Sequence, residues 1–144
     1  MNLIRDKYEE IFPRILVTGG AGFIGSCLIR QLLKNTKSNI YNLDKLSYSS
    51  DLYSIDKTIK ELNIESKRYE HFKIDLRNSR DVNKVINYCN PDLIFHLAAE
   101  SHVDNSIKNP NNFINTNIIG TYNLLNSSFI SIKNKKNFKF IHIS

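Results

Sequence analysis

Arg14-Ile15-Leu16-Val17-Thr18 runs directly into Gly19-Gly20-Ala21-Gly22-Phe23-Ile24-Gly25. An apolar run with β-branched members, a cluster of glycines and an amphipathic stretch from Phe23 to about Lys34 read as strand, tight turn and helix. The glycines fall at the three places where a dinucleotide pyrophosphate needs them. Gly19 or Gly20 makes the turn, Gly22 lets backbone approach the phosphates, and Gly25 lets the helix pack close to the strand. Amides at the helix start, aided by the helix dipole, then hold the diphosphate. A glycine motif alone is a common pattern, so its neighbours decide what it means.

Those neighbours agree. Ile40-Tyr41-Asn42-Leu43 forms a second apolar run that ends in Asp44. An acid at the tip of the second strand accepts hydrogen bonds from the adenosine ribose. Its charge disfavours a 2′-phosphate, which points to NAD rather than NADP, although the neighbouring Lys45 weakens that preference.

Apolar runs at about 14–18, 39–44, 70–75, 92–98 and 138–143 read as strands, and helical patterns fall at about 23–34, 79–89 and 111–132. The stretch 51–62 could form a further helix. Continuous rather than alternating apolar runs, such as Leu93-Ile94-Phe95-His96-Leu97-Ala98, suit strands covered on both faces. Strands alternating with helices imply right-handed crossovers. The expected fold is an α/β, Rossmann-type doubly wound parallel sheet of five strands, incomplete as it stands. Residues 1–13 read as an N-terminal extension and residues 14–144 as an NAD-binding domain without a substrate lobe.

Bulk properties exclude little else. The chain has 144 residues, of which 41% are hydrophobic, enough for one domain with a real core. No apolar run approaches a membrane span, and the charged N-terminus does not resemble a secretory signal, so no membrane contact and a cytoplasmic location are expected. The formal charge of +6 comes from scattered lysines without a basic helix face, so no nucleic-acid partner is expected. Cys27 and Cys89 share no motif and read as packed thiols. His71, His96, His102 and His142 lack metal-ligand spacing, and no metal is expected.

Past the fourth apolar run comes Ala98-Ala99-Glu100-Ser101-His102-Val103-Asp104. Ligands of open parallel sheets lie outside the carboxyl ends of the strands. Small residues there leave room for a cofactor, and Asp75, ending the third run, is placed to meet the adenine end.

Thr18 to Gly25, Asp44-Lys45-Leu46-Ser47-Tyr48, His96 to Asp104 and Asn115-Thr116-Asn117-Ile118-Ile119-Gly120-Thr121 together resemble the dTDP-glucose 4,6-dehydratases. These belong to the extended short-chain dehydrogenase/reductase superfamily. The glycine motif and Leu-Ala-Ala are shared across that superfamily, while Glu-Ser-His-Val-Asp with Asp-Lys-Leu-Ser-Tyr points to the dehydratase branch. The resemblance implies NAD as cofactor, with Phe23 and Ile24 flanking the pyrophosphate and Asp44, Lys45, Leu46 and Ser47 around the ribose. Asp75 and Leu76 would meet the adenine, Leu97, Ala98, Ala99, Glu100 and Ser101 would line the cofactor, and Thr116 would contact it. Ser101 and His102 would reach a nucleotide-sugar substrate, dTDP-glucose by resemblance. Ser49-Ser50-Asp51 departs from the more usual Ala-Gly-Asn, in the loop beside the adenosine.

The implied reaction oxidises C4 of the glucose, eliminates water across C5 and C6, and reduces C6. It needs a tuned base and an acid–base pair. In the family the Thr-Asp-Glu of the elimination follows the fifth strand, with the Tyr-x-x-x-Lys helix farther on, both beyond Ser144. Tyr41/Lys45, Tyr53/Lys57 and Tyr69/Lys73 match that spacing by accident, and no catalytic residue is assigned. The chain alone is therefore expected to bind NAD without turnover, and to need a complementing C-terminal half or a homo-oligomer to cover its fifth strand. A non-catalytic NAD-binding module, or part of another sugar-nucleotide epimerase or dehydratase, stays open.

Overall fold

The computed structural model describes residues 12–47, 50–101, 110–131 and 135–143. β1 (Arg14–Thr18), β2 (Asn39–Asp44), β3 (Tyr69–Lys73), β4 (Leu93–His96) and β5 (Lys139–His142) form one sheet in the order β3-β2-β1-β4-β5. Every pairing is parallel. The chain moves outward from β1 to β3, then returns to lay β4 on the other side of β1. That reversal opens a crevice at the carboxyl ends of β1 and β4.

Helices cover both faces because β1 is apolar on both. Leu16 enters a cluster with Leu43, Val82, Ile86, Ile94 and Leu124. Its neighbours Ile15 and Val17 point the other way, to Ile29, Leu33, Ile40 and Ile55. The first cluster is covered by α3 (Ser79–Cys89) and α5 (Thr121–Ser131), the second by α1 (Phe23–Asn35) and α2 (Tyr53–Glu61). Phe12, just before β1, is buried in the second cluster. In α3 the buried Val82, Val85, Ile86 and Cys89 follow helical spacing. Asn78 caps it by accepting the Asp81 N–H, and Asn90 ends it in the left-handed region at φ 42°.

Three elements differ from the sequence reading. β3 stops at Lys73 rather than at residue 75, so Asp75 lies in the turn beyond it. β4 stops at His96 rather than Ala98. Its neighbour β1 ends at Thr18, and Gly19 turns away at φ 69°, so residues past Leu97 have no strand to pair with. The helix expected over 111–132 is also not uniform. It comprises α4 (Pro110–Phe113), a π-helical stretch Ile114–Gly120, and α5. The wider turn brings Thr116 inward and packs Gly120 against Leu76.

A hydrogen-bond chain ties these parts together at the crevice floor. The Thr121 hydroxyl donates to the Asn117 carbonyl at 2.7 Å, so it accepts from His96 Nε2 at 2.8 Å. His96 Nδ1 then accepts from the Thr18 hydroxyl at 2.6 Å. The order requires a neutral imidazole carrying its proton on Nε2. Burial, and then the His142 ring, push His96 down to about 4. At the other end of the sheet Asp92 accepts from Arg14 and from Lys135 at 2.7 Å. Burial opposes the Asp92 charge, but these hydrogen bonds outweigh it and hold the carboxyl below its usual range.

The unfolded chain protonates His96 near 6.5 and the fold only near 4, so the unfolded state binds more protons in between. Stability is therefore expected to fall as pH drops from about 6.5 to about 4, by on the order of 3 kcal/mol. Urea denaturation at pH 7 and pH 5 should show about 2 kcal/mol of it. His96→Gln should flatten this window, and a slope retained in that variant would assign it to another group.

Candidate cofactor-binding site

The turn after β1 builds the first wall. Gly19 takes a left-handed φ of 69°, and its N–H donates to the Leu43 carbonyl at 2.9 Å. A Cβ there would lie 2.7 Å from the Ala98 nitrogen, so the turn and the segment after β4 touch backbone to backbone. Gly25 faces inward, where a Cβ would overlap the Gly19 carbonyl oxygen. Gly19 is thus the tight-turn residue left undecided between two glycines. Gly22 is the N-cap of α1 and offers no side-chain cap. The first-turn amides of Phe23 and Ile24 therefore have no intrahelical acceptor, at the positive end of the helix dipole. Both side chains point to solvent, 94% and 63% exposed, so any contact they make with a phosphate runs through backbone.

Asp44 builds the second wall and is only 8% exposed. Its Oδ2 accepts the Ala21 N–H at 3.0 Å, while Oδ1 accepts the Leu46 N–H at 2.8 Å and the Ser50 hydroxyl at 3.2 Å. One carboxylate thus holds both the glycine turn and the loop after β2. Leu46 sits in the left-handed region at φ 57°, at a cost of roughly 1–2 kcal/mol that the bond to Asp44 helps offset. The Ser-for-Gly departure at Ser50 is therefore not inert, because its hydroxyl joins the Asp44 shell.

The third wall is the segment after β4. The Glu100 N–H donates to Asn117 Oδ1 at 2.8 Å, and Asn117 Nδ2 donates back to the Glu100 carbonyl at 3.0 Å. This two-point clamp comes from the π-helical stretch. Glu100 in turn accepts from Lys45 Nζ at 2.6 Å, bridging the β4 and β2 sides. Asp75 accepts from Arg77 Nε at 2.9 Å and Nη2 at 2.6 Å. Burial opposes the Asp75 charge, and the Arg77 side-chain and backbone bonds overcome it, holding the carboxyl low.

Between these walls lies an open cleft. It brings together Gly19, Gly22, Asp44, Lys45, Ser47, Asp75, Leu76, Leu97 to Ser101 and Thr116. Gly25, Phe23, Ile24 and Leu46, also expected at the site, do not line it. His102 lies outside the described residues, as do Tyr48 and Ser49 of the adenosine loop. Leu43, Ser50 and Ile74 line the cleft without having been singled out for it. Thr116 Oγ1 is buried there without a hydrogen-bond partner. A polar atom left unpaired in a cleft wall is the group a ligand would satisfy.

The accidental Tyr-x-x-x-Lys matches do not enter the cleft as pairs. Tyr53 is exposed on α2, and Lys57 faces Glu61 at 3.8 Å. Tyr69 accepts from Asn42 at 3.0 Å, and burial pushes its hydroxyl up to about 12. Cys89 is a packed thiol raised to about 12 by burial, whereas Cys27 is exposed rather than packed. Lys135, counted among scattered basic residues, is committed to Asp92.

Gly19→Ala should lower stability by roughly 2–4 kcal/mol, from the left-handed φ and the Ala98 contact together. Asn117→Ala should cost about 1–3 kcal/mol by leaving the Glu100 backbone unpaired. Chemical denaturation of both variants measures this, and a Gly19→Ala protein as stable as wild type would contradict the turn geometry.

The model of the family described as GDP-mannose 4,6 dehydratase matches residues 16–144. The dTDP-glucose 4,6-dehydratase of Salmonella typhimurium is 46% identical over 109 residues, covering 76% of this chain and 29% of that protein. This chain thus spans under a third of that relative's length. Among solved structures, the UDP-Glc/GlcNAc 4-epimerase of Campylobacter jejuni superposes with a TM-score of 0.75 at 32% identity, over 89% of this chain and 36% of that one. The Bacillus anthracis dTDP-glucose 4,6-dehydratase in complex with NAD gives 0.68 at 34% identity, over 90% and 36%.

Proposed function

The chain belongs to the GDP-mannose 4,6 dehydratase family, and from that premise we propose that residues 14–144 form the NAD-binding domain of a dTDP-glucose 4,6-dehydratase-like enzyme. Residues 1–13 precede it, and of these Phe12 already packs into its core. The observation that carries this reading is the convergence, in one cleft, of an uncapped helix start at Gly22, the Asp44 carboxylate and the unpaired Thr116 hydroxyl. A dinucleotide fits that donor and acceptor set. Backbone amides of Phe23 and Ile24 receive the diphosphate, Asp44 accepts from the ribose, and Asp75 with Leu76 borders the adenine. Leu97 to Ser101 and Thr116 hold the remaining half, and Ser101 and His102 face the sugar nucleotide.

When bound, NAD supplies the hydride acceptor and donor that a sugar oxidation and reduction require. The protein's share here is positioning: the Asn117 clamp fixes the Glu100 wall, and the His96 chain fixes the floor without a charge. No residue of the 144 is assigned to proton transfer, so this polypeptide alone binds cofactor and does not dehydrate dTDP-glucose. The epimerase likeness lies in the cofactor half that both enzyme types need. The higher identity to the dehydratase, across 109 residues, favours the dehydratase reading.

The exposed Ile118, Tyr122 and Leu125 on one helical face, together with the edge strand β5, support a need for further polypeptide, a complementing C-terminal half or a second copy. No helix among the described residues is long and apolar enough to cross a membrane, and a cytoplasmic site of action is part of the proposal.

Thr116→Val is the direct test. It removes an unpaired buried hydroxyl, so thermal stability should hold or rise while NAD affinity falls about fivefold or more by calorimetry. No NAD binding by the folded wild type would sink the proposal. Formation of a 4-keto-6-deoxy sugar from dTDP-glucose by this chain alone would refute the inactivity.

A further inference from the structure

We infer that Glu100 sets the preference of the cleft for a cofactor without a 2′-phosphate, by occupying Lys45. The inference rests on the NAD-binding reading above. Asp44 is the obvious selector, yet both its oxygens are already bonded to Ala21, Leu46 and Ser50. Next to it in sequence stands a lysine, the side chain that would welcome a phosphate beside the ribose. An uncommitted Lys45 would cancel much of what Asp44 does.

It is not uncommitted. Lys45 Nζ lies 2.6 Å from Glu100 Oε1, with the two side chains 30% and 19% exposed. A pair this sheltered is weakly screened, and pulling Lys45 toward a phosphate would leave Glu100 facing the cleft without its counter-ion. Glu100 cannot follow easily, because Asn117 holds its backbone at both N–H and C=O. Arg77, which follows β3, is forked onto Asp75. Among the described residues that line the cleft, the charged ones are Asp44, Asp75 and Glu100 against Lys45, so carboxylates are in excess. A 2′-phosphate would enter a locally negative pocket with its nearest cation already bound. A 2′-hydroxyl meets no such penalty.

The test is calorimetric titration of the full chain with NAD and with NADP, for wild type, Glu100→Gln, Lys45→Met and the double variant. Glu100→Gln should improve NADP binding relative to NAD by on the order of tenfold, and adding Lys45→Met should abolish that gain. Lys45→Met alone leaves Glu100 without its counter-ion and should weaken NADP relative to NAD, whereas the double variant should return the ratio to near the wild-type value. An unchanged ratio in Glu100→Gln, with NAD still bound, overturns the role of Glu100 and leaves the proposed function standing. Loss of NAD binding by the folded wild type overturns both. Should Glu100→Gln fail to fold, Glu100→Ala takes its place with the same expectation: a gain in NADP relative to NAD that Lys45→Met abolishes, an unchanged ratio overturning the inference.

Discussion

The close approach of Gly19 to the backbone of Ala98 is the constraint on which the rest of the site depends. β1 and β4 are neighbours for four residue pairs, Ile15 with Leu93 through Thr18 with His96. A left-handed turn at Gly19 then ends β1, and on that side β4 loses its partner after His96. The chain leaves the sheet on both sides of one point, and the crevice is what remains. Any side chain at Gly19 would force the two departing segments apart. The Thr18–His96–Thr121 chain lies directly beneath and holds that point from below without placing a charge in it.

What could be read from residues alone follows from this geometry. The glycine turn, the acid ending β2 and the parallel order are local or periodic features, and each has a sequence signature. Gly19, Asp44 and Asp75 were legible for that reason, whereas Leu97 and Thr116 entered only through the resemblance to a family. Asn117 was not. It stands beside Thr116 in a segment that reads as ordinary α-helix, and only the π-helical register sends one side chain inward and the next onto Glu100. The role of Ser50 is not visible in its departure from the usual pattern, because its bond is to Asp44, a contact made by loop closure. The Lys45–Glu100 pair joins residues 55 positions apart, and nothing in either neighbourhood announces it.

The structure also changes what Asp44 means. As a ribose acceptor it would be a ligand contact that could be removed with loss of binding alone. As found, its carboxylate accepts from both the glycine turn and the loop after β2. Truncating it would leave buried amides unpaired in two walls of the cleft at once, a cost that falls on the fold before any ligand arrives. A binding defect in such a variant would therefore mix two causes. Thr116 separates them, since its hydroxyl has no protein partner to lose.

Net charge shows the same gap between a whole-chain property and a local one. A chain of formal charge +6 suggests a molecule that attracts anions everywhere. Yet Lys135 and Arg14 are paired with Asp92 at the amino end of the sheet, and Arg77 and Lys45 are paired at the carboxyl end. At the cleft the charged side chains balance slightly negative, and what remains to receive a diphosphate is the helix start, where the positive charge is partial and carried by backbone amides. That division lets one cleft accept phosphate at the glycine turn and resist it at the ribose, little more than a strand's width away. The discrimination comes from which cations already have partners, and it requires the sheet to bring Glu100 across to Lys45.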